Sequence, residues 1–470
     1  METINTGSGF VKPGFESVRD KFYAAFESGR LHCAQLCVYV GNEVVVDLVN
    51  DTTAATNDNN NSPYDEDSLQ VVFSSSKVFT AVAVALMVEN GYLKYSDRIV
   101  DIWPEFGTGS GHDTKDKLTV ADLMRHQAGL TRINTKFEIE DFFTENLTKN
   151  FVGKVLAEAQ MDKAHLEEDG TVRRHYHYFT RGYFANEVCR RADPSGRTIG
   201  QILKDSFSNL GIDAHVGLKE GSDVWLRVRN LLVPSIKSIA GMVWNNKATV
   251  AKLFRQMVYS YPELVLLPRR EAGKAHFQDY FGPLAGVFKP SVCPVTVRDD
   301  ATKERVTLGP LTIDKFLNSH DYKRAEQPGA NGIASARGLA KLAAFLANKG
   351  GLEGHGRLMT EATWDVMHDK EVTVPEEELG GFRTQFSQGG VNHFHNYFDD
   401  QPMEEKFKVG REGYIGWMGF GGSVCQYHTE LKIGFGYAPL DFLYYDPANT
   451  TGACLQGGVV KCVKRMQQQS

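Results

Sequence analysis

Residues 71–91 read VVFSSSKVFTAVAVALMVENG, a serine cluster that runs straight into an almost wholly apolar stretch, residues 78–88, and stops at Asn90-Gly91. An apolar run of that length, closed by Asn-Gly, predicts a helix buried on most of its faces. Ser74 then stands at the helix N-terminus, where free backbone N–H groups and the positive end of the dipole favour a developing negative charge. Lys77 follows three residues on, so its amine returns to the same face within reach of the hydroxyl. Desolvated among apolar neighbours, that amine gives up its proton far more readily than a solvated lysine, as an acyl-transfer serine requires. A Ser-x-x-Lys arises by chance about once or twice in a chain of this size, and here only Ser74 begins one. Context rather than rarity favours chemistry: an ammonium buried in such a helix without purpose or partner costs several kcal/mol.

The chain has 470 residues, 42% hydrophobic and 23% charged, which is ordinary for a globular protein and enough for two cooperating domains. Its net charge of -6 is spread without a basic stripe, so nothing predicts a nucleic-acid or anionic-membrane partner; a small neutral substrate fits better. No apolar stretch reaches the roughly 18 residues of a membrane span. The first residues, METINTGSGFVKPGFESV, have neither a secretory apolar core nor an Arg-rich amphipathic pattern, so a cytoplasmic address is expected. On that expectation the glycosylation sequons at Asn50, Asn60, Asn146 and Asn449 are idle. Seven cysteines, an odd number without a Cys-x-x-Cys pair, predict free thiols in a reducing compartment.

Working outward from the serine, residues 15–30 repeat apolar positions at helical spacing and lead into CAQLCVYVGNEVVVDLV, two strands split by a Gly41-Asn42 turn. A polar, turn-rich loop, residues 55–67, delivers the chain to Ser74. KLTVADLMRHQAGL (117–130) predicts a helix with Thr119 as N-cap and Asp122 three residues on, ending at Gly129. Residues 135–169 are acidic and helix-prone, and residues 183–210 hold further helices broken at Pro194-Ser195-Gly196. RGLAKLAAFLANKGG (337–351) reads as an amphipathic helix, and GFGGSVCQYHTELKIGFGYAP (419–439) as two strands joined by a polar turn. The expected fold is α/β (α+β): an antiparallel sheet flanked by helices and built from both chain ends, with a mainly helical lobe inserted. The boundaries drawn are residues 1–88 with 325–470 for the sheet domain and 89–324 for the helical one, with the ligand in the cleft between them.

An acyl-transfer site also needs a second proton relay and two donors for the oxyanion. Tyr176, in RRHYHYFTRGYFANEVCRR just ahead of a helix, is the candidate relay. GWMGFGGS (416–423) is the candidate oxyanion strand, its glycines letting a substrate lie along an edge backbone. Taken singly both are weak, since 18 tyrosines are present and most simply bury a ring, while glycine-rich strands often mark bulges.

The order FSSSK, WPEF with KLTVADLMRHQAGL, YHYFTRGYFANEVCRR, ANGIASARGLAKLAAFLA, and GWMGFGGS with IGFGYAP resembles the serine β-lactamase-like superfamily of class C β-lactamases and penicillin-binding proteins. Within it the chain is most similar to family VIII carboxylesterases and eukaryotic β-lactamase-related proteins, over about residues 10–445. The resemblance implies a β-lactamase/transpeptidase-like fold, Ser74 as acylated nucleophile, Lys77 as proton acceptor and Tyr176 as the tyrosine of a Tyr-x-Asn element. It places Trp417-Met418-Gly419 where the Lys-Thr-Gly strand would be, in the Trp-x-Gly form of the esterase branch, with the Ser74 and Phe420 N–H groups as oxyanion donors and Gly419 beside them. Two departures stand out: Tyr178 replaces the asparagine, and Trp417 replaces the lysine. Both lost groups recognise β-lactams in the lactamases, so an uncharged ester or acyl compound is expected instead, with hydrolysis or acyl transfer both open.

That mechanism needs no cofactor and no metal. A metallohydrolase is the rival enzyme class, because His175-Tyr176-His177 and His393-Phe394-His395 each carry two imidazoles at strand spacing, but neither has the carboxylate and third histidine of a full ligand set; they read as surface or supporting histidines. Residual β-lactamase or D-amino-acid peptidase activity is a second enzymatic reading. From another class, the superfamily includes a filament-forming eukaryotic protein, so a scaffold is the non-enzymatic reading, with the acidic stretch 135–170 as an interface and homo-oligomers left open. Intact Ser74, Lys77 and Tyr176 favour the enzyme.

Overall fold

The structure, a computed structural model, describes residues 7–27, 29, 31–53, 63–108, 112–234, 288–376, 383–394, 409–443, 446 and 449–469. Its largest sheet has nine strands: β1 (Ser8–Val11), β2 (Cys33–Val40), β3 (Glu43–Asp51), β4 (Val372–Pro375), β5 (Arg383–Phe386), β6 (Asn392–His393), β7 (Tyr414–Met418), β8 (Val424–His428) and β9 (Ile433–Pro439). They lie in the order β1-β3-β2-β9-β8-β7-β6-β5-β4, with every neighbouring pair antiparallel. The two ends of the chain meet where β9 pairs with β2, Ile433 opposite Val40 through Pro439 opposite Ala34. As expected, the hairpin β2–β3 turns at Gly41-Asn42, with Gly41 at φ 61° where a side chain would be strained.

Both faces of this sheet are covered, which is why β2, β8 and β9 are buried along almost their whole length. Helix α1 (Glu16–Ala24) and a long C-terminal helix (Thr450–Gln469) cover one face, where Phe15, Val18 and Phe22 pack with Leu36, Val38, Leu455 and Val459. On the other face lie α2 (Ser76–Glu89), α3 (Val120–Met124), α4 (Thr180–Ala192), α5 (Ile199–Leu210) and α6 (Ala336–Ala347). Helix α6 sits against β9 so closely that a side chain at Gly434 or Gly436 would run into its backbone.

Helix α2 is the axis of this second layer. Every residue from Ser76 to Met87 is buried, as the apolar run predicts, and the helix stops where Asn90 Nδ2 donates to the Leu86 carbonyl and Gly91 takes φ 70°. The loop of residues 326–332 clamps it: Thr80 Oγ1 donates to Pro328 O at 2.9 Å, Lys77 Nζ to Gly329 O at 2.7 Å, and the Gly332 N–H to Ser76 Oγ at 2.8 Å.

Three sequence expectations change. The helix at 117–130 has its Thr119–Asp122 capping box but ends at Met124 rather than Gly129, because His126 turns left-handed (φ 63°) to bring its ring against Tyr176. The acidic stretch 135–169 is not one helical block: short helices at Thr144–Leu147 and Phe151–Glu158 alternate with 3-10 turns, and Phe137–Glu138 pairs in parallel with Val295–Arg298. The glycine-rich segment 416–423 is strand only to Met418, and it is not at an edge, since β7 lies between β8 and β6. Among the described residues no helix is long and apolar enough to cross a membrane.

Candidate active site

Ser74 lies in a single 3-10 turn, Phe73–Ser75, that leads into α2. Phe73, just before it, takes φ 47°, an uncommon and costly conformation for a large residue. Its surroundings hold it there: Ser76 Oγ donates to its carbonyl, and its ring packs on Phe442 with centroids 5.3 Å apart and edge-on to Phe420 at 6.4 Å. The kinked turn leaves Ser74 part-exposed while Ser75, Ser76 and Lys77 are buried.

Lys77 is only 2% exposed, and its nitrogen has three polar contacts. Nζ lies 2.8 Å from Tyr178 O, 2.7 Å from Gly329 O and 3.2 Å from Ser74 Oγ. A neutral amine has two N–H bonds and one lone pair. The two carbonyls only accept, so each takes an N–H from Nζ; in the neutral form the remaining position, toward the Ser74 hydroxyl, holds the lone pair, and in the charged form a third N–H. Burial pushes the lysine well below its ordinary pKa, and the Arg181 guanidinium pushes it further the same way.

Tyr176 comes from a segment a hundred residues away in sequence and is buried in the same place. Its phenol faces the Ser74 hydroxyl and accepts the Trp417 indole N–H at 2.6 Å, while its ring lies 4.6 Å from Lys77 Nζ. Burial raises the phenol well above its usual pKa, so it stays protonated at neutral pH. The ring stacks on His126 at 4.6 Å and on Trp417 at 5.5 Å, and the Tyr176 N–H is held by Glu376 Oε1 at 2.7 Å. Ser74 and Lys77 are thus brought together with Tyr176, which in turn contacts Trp417.

Gly419 and Phe420 lie on the turn after β7, closed by Gly419 N–H to Ser423 O at 2.8 Å and Gly422 N–H to Gly419 O at 3.1 Å. Ser423 ties this turn to the serine: its Oγ donates to Val72 O at 2.6 Å and lies 2.9 Å from Ser75 Oγ. A Cβ on Gly419 would run into Ser423 Oγ and Val72 O, so the close approach needs glycine there. Asn449 Nδ2 braces the same turn through Gly422 O and Ser423 O; with its amide used and buried, its sequon is unavailable to a glycan.

Among the described residues no group of three His, Cys, Asp or Glu side chains is gathered to hold an ion. The described members of the two histidine pairs are not on the surface, as the sequence reading allowed: His175, His177 and His393 are buried, and His395 lies outside the described residues. His177 donates from Nδ1 to His175 O and accepts the Leu130 N–H at Nε2, a structural tautomer. His175 stacks on His165, and His393 Nδ1 pairs with Glu371 at 2.9 Å. All seven cysteines are free thiols, and only Cys454 is exposed.

Several site residues went unnoticed in the sequence. The carbonyls of Tyr178 and Gly329 have no sequence signal, because every residue carries one. His126, Glu376 and Ser423 act only after distant segments converge. Arg181 had a signal: an arginine among Tyr183, Phe184 and Ala185 on a helix whose residues from Thr180 to Cys189 are all buried.

A sequence model of the family described as Beta-lactamase matches residues 18–439. The esterase/beta-lactamase LipL of Mycobacterium tuberculosis is 24% identical over 377 residues, covering 79% of this chain and 71% of that protein. Among solved structures, a penicillin-binding protein homologue from Caulobacter crescentus superposes with a TM-score of 0.66 at 22% identity, over 97% of this chain and 99% of its own. A family VIII carboxylesterase superposes with the same TM-score of 0.66 at 24% identity and the same coverage, 97% and 99%. The match spans most of the chain and both halves of its sheet, and the chain belongs to the beta-lactamase family as a serine hydrolase.

Proposed function

We propose that this serine hydrolase is carboxylesterase-like and works through an acyl-Ser74 intermediate on small neutral esters or related acyl compounds. The observation that carries the reading is the Lys77 amine, buried, bound by two carbonyls and turned toward the Ser74 hydroxyl, with no carboxylate among the described residues paired to it. As Ser74 Oγ attacks the ester carbonyl carbon, its proton passes to Lys77. The C=O becomes a C–O⁻ that the Ser74 and Phe420 N–H groups receive. When the tetrahedral adduct collapses, the bond to the leaving alkoxide breaks and Tyr176 supplies the proton that makes it an alcohol, Lys77 replenishing the phenol. Water or another alcohol then attacks the acyl-serine by the reverse proton route.

The aromatic wall supports a neutral substrate. Tyr176, Trp417, Phe386 and Phe394 pack together beside the serine, and the indole offers an N–H where a lysine would offer a charge. With Tyr178 and Trp417 at the two altered positions, β-lactams are expected to be poor substrates. The test is intact mass after incubation with a fluorophosphonate or an activated short-chain ester. One adduct on the parent and none on Ser74→Ala is expected; a folded parent that stays unmodified would refute the acyl-Ser74 route.

A further inference from the structure

We propose that Arg181 is a positioning residue for Lys77: its permanent charge, bound to the Lys77 carbonyl and matched by no carboxylate, keeps the Lys77 amine unprotonated so that it accepts the Ser74 proton. This rests on the acyl-Ser74 reading and adds the group that sets the state of its base.

The placement carries the argument. Arg181 is wholly buried in the first turn of α4, with Nη2 2.8 Å from Lys77 O, and Nη1 3.1 Å from Met124 O, 3.1 Å from Gly390 O and 3.2 Å from His126 Nε2. Among the described residues no carboxylate forms an ion pair with it. Burial lowers it to about 10, which still leaves it charged at neutral pH. A second cation close to this one, with no anion between, is what the interior resists. A guanidinium holds its charge far more firmly than an amine, so Lys77 is the group that stays neutral.

The other groups facing Lys77 do not alter this balance. From its own turn there is only the Ser74 hydroxyl. The segment before α4 brings the Tyr176 phenol, kept protonated by burial, His177, lowered to about 3, and the Tyr178 carbonyl. The turn after α3 brings His126, held neutral by burial and by Arg181 itself, and the 326–332 loop brings the Gly329 carbonyl. Among the described residues the carboxylate nearby is Glu376, just after β4; it holds the Tyr176 N–H and faces a second buried guanidinium, Arg174. On the β7 side stands Trp417, an indole and not a cation. Arg181 is therefore the charge left to bias the lysine.

The test is the pH dependence of Ser74 labelling by a fluorophosphonate, alongside kcat/KM for a neutral ester, in the parent, Arg181→Gln, Arg181→Met and Arg181→Lys, each checked for folding by thermal melting. Losing the charge is expected to move the acid limb up by about one pH unit or more, slowing labelling about tenfold at a pH below the limb. Arg181→Lys is expected to keep the parent's limb. Should Arg181→Met not fold, Arg181→Gln, which still offers N–H donors to the carbonyls, is read in the same way. Folded neutral variants whose limb stays put, with only a lowered plateau, would make Arg181 a purely structural residue. A limb displaced equally by lysine and glutamine would remove charge as the cause. A parent that takes no label at Ser74 overturns the acyl-serine reading, and this inference with it.

Discussion

Gly419→Ala puts the proposed oxyanion geometry at risk with a single methyl group. The added Cβ would overlap Ser423 Oγ and Val72 O and come within 3.2 Å of Phe73 Cβ, and two of those three atoms belong to the turn that carries Ser74. None is the loose end of a flexible chain: Ser423 Oγ is held by Val72 O and Ser75 Oγ, and Val72 N–H is bonded to Gly332 O at 2.8 Å. The relief is a shift of about 1 Å between the two turns, and a misplacement of that size near the chemistry costs on the order of 10²-fold. Taking the Phe420 N–H out of reach of the oxyanion amounts to losing one of two donors, about 10²–10³ in kcat, or about 2.7–4 kcal/mol of transition-state stabilisation. Overpacking should also lower stability by about 1–3 kcal/mol. The assay is steady-state hydrolysis of a neutral ester, with kcat and kcat/KM expected to fall together and KM little changed, on protein shown folded by its melting curve. Gly91→Ala is the control: Gly91 has φ 70° and open space around its Cβ, so it takes the backbone strain without touching the site. A folded Gly419→Ala enzyme within about threefold of the parent would refute the assignment of this turn.

Trp417→Phe keeps the ring stack on Tyr176 but removes the N–H that the phenol accepts at 2.6 Å. A lost hydrogen bond of this kind is worth about 0.5–1.5 kcal/mol, so kcat should drop roughly 3- to 10-fold for alkyl esters. The drop should be smaller for nitrophenyl esters, whose leaving group needs no proton; equal losses on both would argue against Tyr176 as the donor. For stability, burial lowers His177 to about 3, so below about 6.5 the unfolded chain binds a proton that the native one refuses. Its contribution is therefore complete above pH 6.5 and shrinks as pH falls toward 3, by about 2 kcal/mol at pH 5. His177→Gln should flatten the fall in denaturation free energy between pH 7.5 and 5, and an unchanged slope would contradict the buried neutral assignment.

Where a feature depends on neighbours in the chain, the sequence reading and the structure agree. The Lys77 amine meets Ser74 because three residues make most of a helical turn, and the β2–β3 hairpin turns at Gly41 because that position needs φ above zero. The capping box at Thr119 forms for the same kind of reason. Expectations failed where a distant contact outweighed a local preference. The α3 helix has apolar spacing enough to continue, yet it stops so that His126 can stack on Tyr176. The segment after Trp417 has the look of a strand, yet Ser423 bends it into a turn against Val72. The histidine pairs have a metal-like spacing, but the ring of His177 is used on His175 O and the Leu130 N–H, His175 stacks on His165, and His393 pairs with Glu371.

The meeting of Ser74 and Lys77 was readable from one helical turn, because backbone geometry alone carries i and i+3 to one face. What lowers the proton affinity of that amine was not. Its state depends on the carbonyls of Tyr178 and Gly329, on burial from all sides and on a guanidinium 104 positions away, none of which leaves a mark near Lys77 in the chain. Proton affinity is set by everything within a few ångströms, and which atoms come that close is a property of the packed fold.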